Sequence, residues 1–335
     1  MTTVKLGDQT NIESMILSDL DDGPGNPAAG EILVRVEASS LNQHDLNVII
    51  GHLPSEPGRI LLTDAAGIVE QIGDGVTDFT VGDRVISCFF PQWQDGQQAV
   101  PGFSTTPGDG VDGYARPAVI RPASWFTRAP SHMTSLEAAT LPTAALTAWR
   151  ALFVEGCIKA GDTILVLGTG GVSLFALQFA KAVGARVVAT TSSDEKAKRL
   201  RELGADEVVN YVTTPDWGKA VAAVTGGGVD LTVEIGGPGT LLQSIFATKI
   251  GGTIAMIGVL TGVQGPVPTA LLMARQQSLH GIMVGSRDQQ RGMVKDLENW
   301  NLHPIIDCSF ELASIADALR HMQSGKHFGK IAISV

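Results

Sequence analysis

Near the middle of the chain, Gly168-Thr169-Gly170-Gly171-Val172-Ser173 stands between the apolar run Thr163-Ile164-Leu165-Val166-Leu167 and a helical pattern over about 172–183. A strand that turns through glycines into a helix offers unpaired backbone N–H groups and the positive end of the helix dipole, an arrangement that binds phosphate. Gly168 permits the tight turn, and Gly170 lets the backbone approach a pyrophosphate. Ser173, where a third glycine often sits, is small enough for close helix–strand packing. Such a turn is a weak signal alone, and a glycine turn of packing value only is the alternative reading. A strand before it, a helix after it and a second strand at 186–190 strengthen it. The expectation is a dinucleotide held by Gly168, Thr169, Gly170, Gly171 and Val172.

The end of the second strand bears on which dinucleotide. An NAD site usually places Asp or Glu there for the ribose 2′-hydroxyl. This chain reads Ala189-Thr190-Thr191-Ser192-Ser193-Asp194-Glu195-Lys196. Thr191 and Ser192 are neutral donors for a 2′-phosphate, and Lys196, one helical turn on, is a counter-charge. Asp194 is the contrary signal, and is expected as the N-cap or first-turn acid of the next helix. The expected cofactor is therefore NADPH.

These residues need a parallel sheet beneath them. After about residue 130, runs rich in Val and Ile at 163–167, 186–190, 207–209, 231–234 and 253–257 alternate with helical stretches, the pattern of buried strands in βαβ units. Residues 1 to about 125 differ: 31–38 and 67–73 alternate with period two, as half-buried strands do, and 82–87 reads as a turn into a strand. Residues 91–113 predict a long surface loop, of a length that is usually functional or disordered. The chain closes on a strand at 330–335.

The 335 residues suit two domains, and 44% apolar with 17% charged residues allows large cores. The net charge is −10 and the densest basic run, 196–201, reads mostly as a solvated helix face, so no nucleic-acid partner is expected. Cys88, Cys157 and Cys308 show no CxxC spacing, hence no disulfide framework and no zinc signature. No basic segment precedes an apolar core at the N-terminus, and no run of about 18 apolar residues exists, so the expectation is a cytoplasmic protein with no membrane span.

Blocks at 42–45 (NQHD), 64–69 (DAAGIV), 81–85 (VGDRV), 138–148 (AATLPTAALTA), the glycine turn, 203–206 (LGAD) and 327–330 (HFGK) follow one another over almost the whole length. In these the chain resembles the medium-chain dehydrogenase/reductase superfamily, on its zinc-free, quinone-oxidoreductase-like side. The resemblance implies an α/β fold: a Rossmann doubly wound parallel-sheet domain at 131–284, and a β-rich GroES-like catalytic domain built from 1–130 and 285–335. It also implies, by analogy only, a homodimer. The zinc-dependent branch has a ligand Cys where Asn42 stands, a ligand His where Thr63 stands and a ligand Cys where Thr143 stands. An amide and two neutral hydroxyls make no tetrahedral zinc site. Residues 93–113 hold no Cys for a structural zinc. No metal is expected.

Without a metal, hydrogen-bond donors must stabilise the negative charge that develops as hydride arrives, which favours a quinone, enal or enone whose conjugation spreads that charge. The resemblance puts Asn42 beside nicotinamide and substrate as a donor to a carbonyl, a structural Asn in a turn being the alternative. His44 matches a proton-relay position and could supply the proton, a partly exposed loop His being the alternative. Thr143 lines the same pocket, while Asp45 organises the turn and His52 is a weaker candidate. Thr147 matches a contact to the nicotinamide amide, Tyr211 a residue by the 2′-phosphate, and Gly258-Val259-Leu260 and Met283-Val284-Gly285 the stretches along the nicotinamide. Lys330 either reaches the cofactor or lies at the surface. Phe89, Phe90 and Trp93 form the substrate-pocket wall or pack in the core. Enoyl-thioester reductases of the family carry a Tyr soon after the match to Gly51; here His52-Leu53-Pro54 follow. The expected function is zinc-independent, NADPH-dependent reduction of a small-molecule quinone or α,β-unsaturated carbonyl. The alternatives are alcohol/aldehyde dehydrogenase activity, or an NADPH-binding sensor or structural protein with little turnover.

Overall fold

A computed structural model describes residues 2–19, 24–97 and 102–335. In chain order, β1 (Thr2–Lys5) and β2 (Ile16–Asp19) precede β3 (Glu31–Ser40), α1 (Gln43–Ile49), β4 (Ala66–Ile72), β5 (Arg84–Ser87), β6 (Ala118–Pro122), β7 (Phe126–Arg128) and α2 (Ser135–Ala138). A helical run follows, in which π-helical turns Leu141–Ala145 and Arg150–Glu155 flank α3 (Leu146–Trp149). Next come β8 (Thr163–Leu167), α4 (Gly171–Ala182), β9 (Arg186–Thr191), α5 (Asp194–Glu202), β10 (Glu207–Asn210) and α6 (Trp217–Val224). β11 (Val229–Glu234), α7 (Pro238–Ala247), β12 (Thr248–Met256), α8 (Thr269–Ala274) and β13 (Ser278–Gly281) continue the alternation. α9 (Arg287–Trp300), β14 (Ile306–Glu311), α10 (Ile315–Gln323) and β15 (Lys330–Ser334) end the chain. Among the described residues no helix is long and apolar enough to cross a membrane.

The chain forms two compact units, one of residues up to Leu146 and from Val284 to Val335, the other Thr147–Met283. The first boundary falls at Leu146, where the sequence reading put it at residue 130. Residues 131–146 belong with the first unit because their polar groups are satisfied there: Ser135 Oγ donates to Glu37 Oε2 (2.5 Å) and Thr143 Oγ1 to Asp64 Oδ1 (2.6 Å).

In the first unit a seven-stranded sheet runs β14-β15-β3-β4-β5-β7, with β6 also paired to β3 and β1–β2 forming a separate pair. The last strand lies against one from near the start of the chain: β15 is antiparallel to β3 with Ala332 opposite Ser40, and Leu41 N donates to Ile331 O (3.0 Å). Apolar residues of both halves share one core, Val4, Leu46, Ile49 and Leu61 packing with Ile315, Leu319, Ile331 and Ile333. At that strand length and burial each such aliphatic side chain contributes about 1.5–3 kcal/mol.

The second unit is a six-stranded parallel sheet in the order β10-β9-β8-β11-β12-β13. Numbered within the unit this is 3-2-1-4-5-6, the doubly wound order, with its switch point between β8 and β11. Ile164, Leu165, Val166, Val187, Val188, Leu231 and Val233 are all buried, as strands covered on both faces require.

Candidate active site

The glycine turn leaves β8 at the switch point, where ligands of such sheets bind. Gly168 has φ +70°, a conformation that side chains disfavour. A Cβ on Gly170 would meet nothing within 4 Å, so the space over the turn is open to a ligand. Gly170 is the N-cap of α4, and Ser173 Oγ donates back to Leu167 O (2.6 Å), tying helix to strand. Thr169 and Val172 lie in the same turn. A pyrophosphate fits the turn: open space, a helix start and unencumbered backbone.

At the ends of β9 and β10, Thr191 stands opposite Asn210, and Tyr211 N donates to Thr191 O (2.9 Å). Thr191 is buried, whereas Ser192 and Tyr211 are exposed. Ser193, not Asp194, caps α5, its side chain accepting from Lys196 N. Asp194 is a first-turn acid whose Oδ1 accepts from Asn210 Nδ2 (2.8 Å).

Sequence reasoning missed the turn after β11. Glu234 is wholly buried, and its carboxylate accepts from Gly236 N (2.6 Å), Gly237 N (3.0 Å), Thr240 Oγ1 (2.6 Å) and Ser244 Oγ. The loop so fixed lies by the glycine turn, Ile235 Cδ1 standing 3.9 Å from a Cβ on Gly168. An acid ending an apolar strand before Gly-Gly-Pro-Gly was the available signal. Gly258 packs on this loop, where a Cβ would come within 2.1 Å of Ile235 O, and Val259 and Leu260 after it are about half exposed. Thr147 is buried.

In the first unit, Asn42, Thr63, Asp64 and Thr143 converge on one buried network. Asp64 Oδ2 accepts from Asn42 Nδ2 (2.7 Å) and Ser40 Oγ (2.9 Å), and Oδ1 accepts from Thr143 Oγ1 (2.6 Å). Lys330 Nζ donates to Asn42 Oδ1 and Leu41 O, both at 2.6 Å, and lies 3.9 Å from Asp64 Oδ2. Asp45 joins from α1: Oδ1 accepts from Thr63 N (3.0 Å) and Thr63 Oγ1 (2.5 Å), and Oδ2 from Asn42 N (2.8 Å). Burial pushes the Asp64 carboxyl up, against the pull of Lys330, and pushes the Lys330 ammonium down, against the pull of Asp64 and Asp45.

This network corrects one sequence reading. Lys330 does not lie at the surface; it is 3% exposed and gives two of its three N–H groups to Asn42 and Leu41. Thr143 gives its hydroxyl proton to Asp64. Asn42 keeps one of its two amide hydrogens, its carbonyl and the other hydrogen being held.

Phe89, Phe90 and Trp93 are buried and stack edge-on or tilted on one another, with Phe103 and His44 in the same group. The stretch read as a surface loop is partly interior: Thr106, Pro107, Gly108 and Asp109 are buried, while its residues 98–101 lie outside the described part. Val284 is buried with φ +46°, a strained conformation for a β-branched residue. Among the described residues Asp307, Cys308 and His321 form a group able to hold a metal, apart from this network; Asp307 already accepts from Phe328 N (3.1 Å) and lies 2.9 Å from His321 Nε2.

Comparison with known proteins matches residues 28–131 to the alcohol dehydrogenase GroES-like domain and 171–299 to the zinc-binding dehydrogenase family. A zinc-type alcohol dehydrogenase-like protein of Schizosaccharomyces pombe is 38% identical over 320 residues, 91% of each chain. The human quinone oxidoreductase is 26% identical over 313 residues, 89% of this chain and 87% of the relative. The crystal structure of an NAD-dependent alcohol dehydrogenase superposes with a TM-score of 0.90 at 31% identity, covering 100% of both chains.

Proposed function

The chain belongs to the medium-chain dehydrogenase/reductase superfamily of oxidoreductases, and on that footing we propose that it passes hydride from NADPH to a quinone or an α,β-unsaturated carbonyl without a metal. The observation that carries the reading is the buried Asn42–Asp64–Thr143–Lys330 network. Its donors are an amide, hydroxyls and one carboxylate, with an ammonium among them. Zinc takes thiolates, imidazoles and carboxylates, and a cation 3.9 Å from the one carboxylate would repel it. The residues do not fit a catalytic zinc, and no step is drawn through one.

NADPH supplies the hydride. The turn at Gly168 and Gly170 and the start of α4 suit its pyrophosphate. Thr191, Ser192 and Lys196 suit a 2′-phosphate, and Asp194 Oδ1 is turned to Asn210 Nδ2 (2.8 Å). The remaining Asn42 N–H is a donor for substrate oxygen as negative charge collects there. One such preorganised donor contributes about 2.7–4 kcal/mol to the transition state. Resemblance to proteins named alcohol dehydrogenases favours a second reading, interconversion of an alcohol and an aldehyde.

NADPH oxidation with ortho- and para-quinones, an enone, an aldehyde and no acceptor, with and without chelator, tests both. The expected result is turnover on the conjugated acceptors that a chelator does not change. Loss on chelation would overturn the metal-free reading, aldehyde-only turnover would favour the second, and tight NADPH binding with no turnover would mean a sensor. The reading also carries a homodimer, and a single 35.1 kDa species in sedimentation velocity would count against it.

A further inference from the structure

His44 and Asp109 form a second buried polar pair that the network above does not use. Their side chains are 10% and 7% exposed, and His44 Nε2 lies 3.3 Å from Asp109 Oδ2. The contact is not aligned as a hydrogen bond, and neither atom has another hydrogen-bond partner. The imidazole is boxed by Phe103, with centroids 4.7 Å apart, and by the edge of Phe89 at 5.1 Å. In such an apolar surround a charge or dipole left unpaired is costly, so each group constrains the other.

The segment that delivers Asp109 is seated closely. A Cβ on Gly108 would come within 2.9 Å of the Leu62 backbone, one on Gly110 within 2.2 Å of Phe103 O, and one on Gly113 within 2.2 Å of Leu62 O. Asp109 N donates to Thr106 O (3.3 Å), and Ser55 Oγ donates to Asp109 O (2.9 Å). Asp109 and Phe103 also line a cavity of about 310 Å³. His44 is in the first turn of α1, two residues from Asn42, the donor proposed for substrate oxygen. With Nε2 turned to Asp109, Nδ1 is the nitrogen left for a ligand.

Resting on the reductase reading, we propose that His44 gives the proton that completes reduction of an α,β-unsaturated carbonyl, and that Asp109 is the positioning residue that orients it. Hydride addition to the β-carbon moves the C=C pair towards the carbonyl oxygen, forming an enolate. Protonated His44 gives its Nδ1 proton to the α-carbon; the enolate pair makes the new C–H bond and the carbonyl is restored. Asp109 stays opposite Nε2 as its counter-charge throughout, and neutral His44 takes its next proton from water. The balance is unsaturated carbonyl, NADPH and one proton in, saturated carbonyl and NADP⁺ out. A quinone makes a weaker demand, because the hydroquinone anion is stable enough to take its proton from water.

The test is a cycle of Asp109→Asn, His44→Gln and the double variant. Asp109→Asn should lower enone kcat by about 10- to 100-fold, with a loss on a quinone at least tenfold smaller and NADPH affinity kept. The double variant should be no slower than His44→Gln. Equal losses on both acceptors, additive losses or full activity of Asp109→Asn would overturn the pair. A wild-type protein that turns over nothing fails the reductase reading instead, and ¹⁵N–¹H imidazole spectra then decide. One fixed Nε2–H form of His44 in the wild-type protein is expected, giving way to a mixture in Asp109→Asn. A mixture already present in the wild type overturns the pair, even where the variant does not fold.

Discussion

Lys330, Asp64 and Asn42 show how far single residues could be read. Asn42, Thr63 and Thr143 were legible as one amide and two hydroxyls, because residue type alone decides that. The cation among them was not, since Lys330 arrives through the pairing of β15 with β3, a register between segments nearly the whole chain apart. Asp64 is wholly buried and its ammonium partner nearly so. Removing one member of a buried charge pair strands the other, at about 3–5 kcal/mol. Lys330→Met should therefore cost about that much in urea unfolding, and Asp64→Asn added to it should restore part of the loss. A Lys330→Met protein as stable as the wild type would mean that Asp64 is neutral in the folded state.

Among elements, the βαβ run was the most legible part, with β8 found at its sequence bounds, because strands buried on both faces are continuous apolar runs. The segment 102–113 was misread, because polar and glycine composition signals exposure and cannot show that three glycines let the backbone press into the interior. Of the two places expected for Asp194 in α5, the structure has the first-turn acid, with Ser193 as the cap. Lys196 lies in the first turn of α5, so Lys196→Ala should weaken NADPH binding by about tenfold or more and NADH binding little; calorimetry showing equal losses would remove the 2′-phosphate assignment. At the start of α9, Arg287 bridges Phe126 O (2.9 Å) and Asp78 Oδ2 (2.9 Å). Its guanidinium holds the Asp78 carboxyl below its ordinary value of 3.8, helped by Arg291 and Arg128 against burial. A depressed folded pKa contributes stability above the unfolded value and loses it as pH falls through the folded one. Asp78→Asn should thus lose less stability than the wild type on acidification below about pH 4, in unfolding followed from pH 5 to 3.

For the whole molecule, connectivity sets a folding problem that neither unit shows alone. The second unit interrupts the first, and β3 meets β15 only across it. Closing an unstructured connection of roughly 140 residues costs about 4 kcal/mol. A folded second unit removes most of that cost, because its own ends are tied: Arg150 Nη1, near its start, donates to Met283 O (3.3 Å), its last residue. Its strands also pair mostly with near neighbours in sequence, which favours early formation. Pulse-labelled hydrogen exchange during refolding should then find β8 and β11 amides protected before Leu41 and Ala332. Ile164→Ala, which opens a cavity under the parallel sheet at about 2–5 kcal/mol, should delay protection of Leu41 although it lies in the other unit. NADPH added at the start should shorten that delay, since a ligand held at 100 times its Kd stabilises its unit by about 2.7 kcal/mol. Protection of Leu41 at an unchanged rate in Ile164→Ala would mean that the first unit pairs β3 with β15 across an unfolded insert, and that the tie at Arg150 is a consequence of folding with no part in directing it.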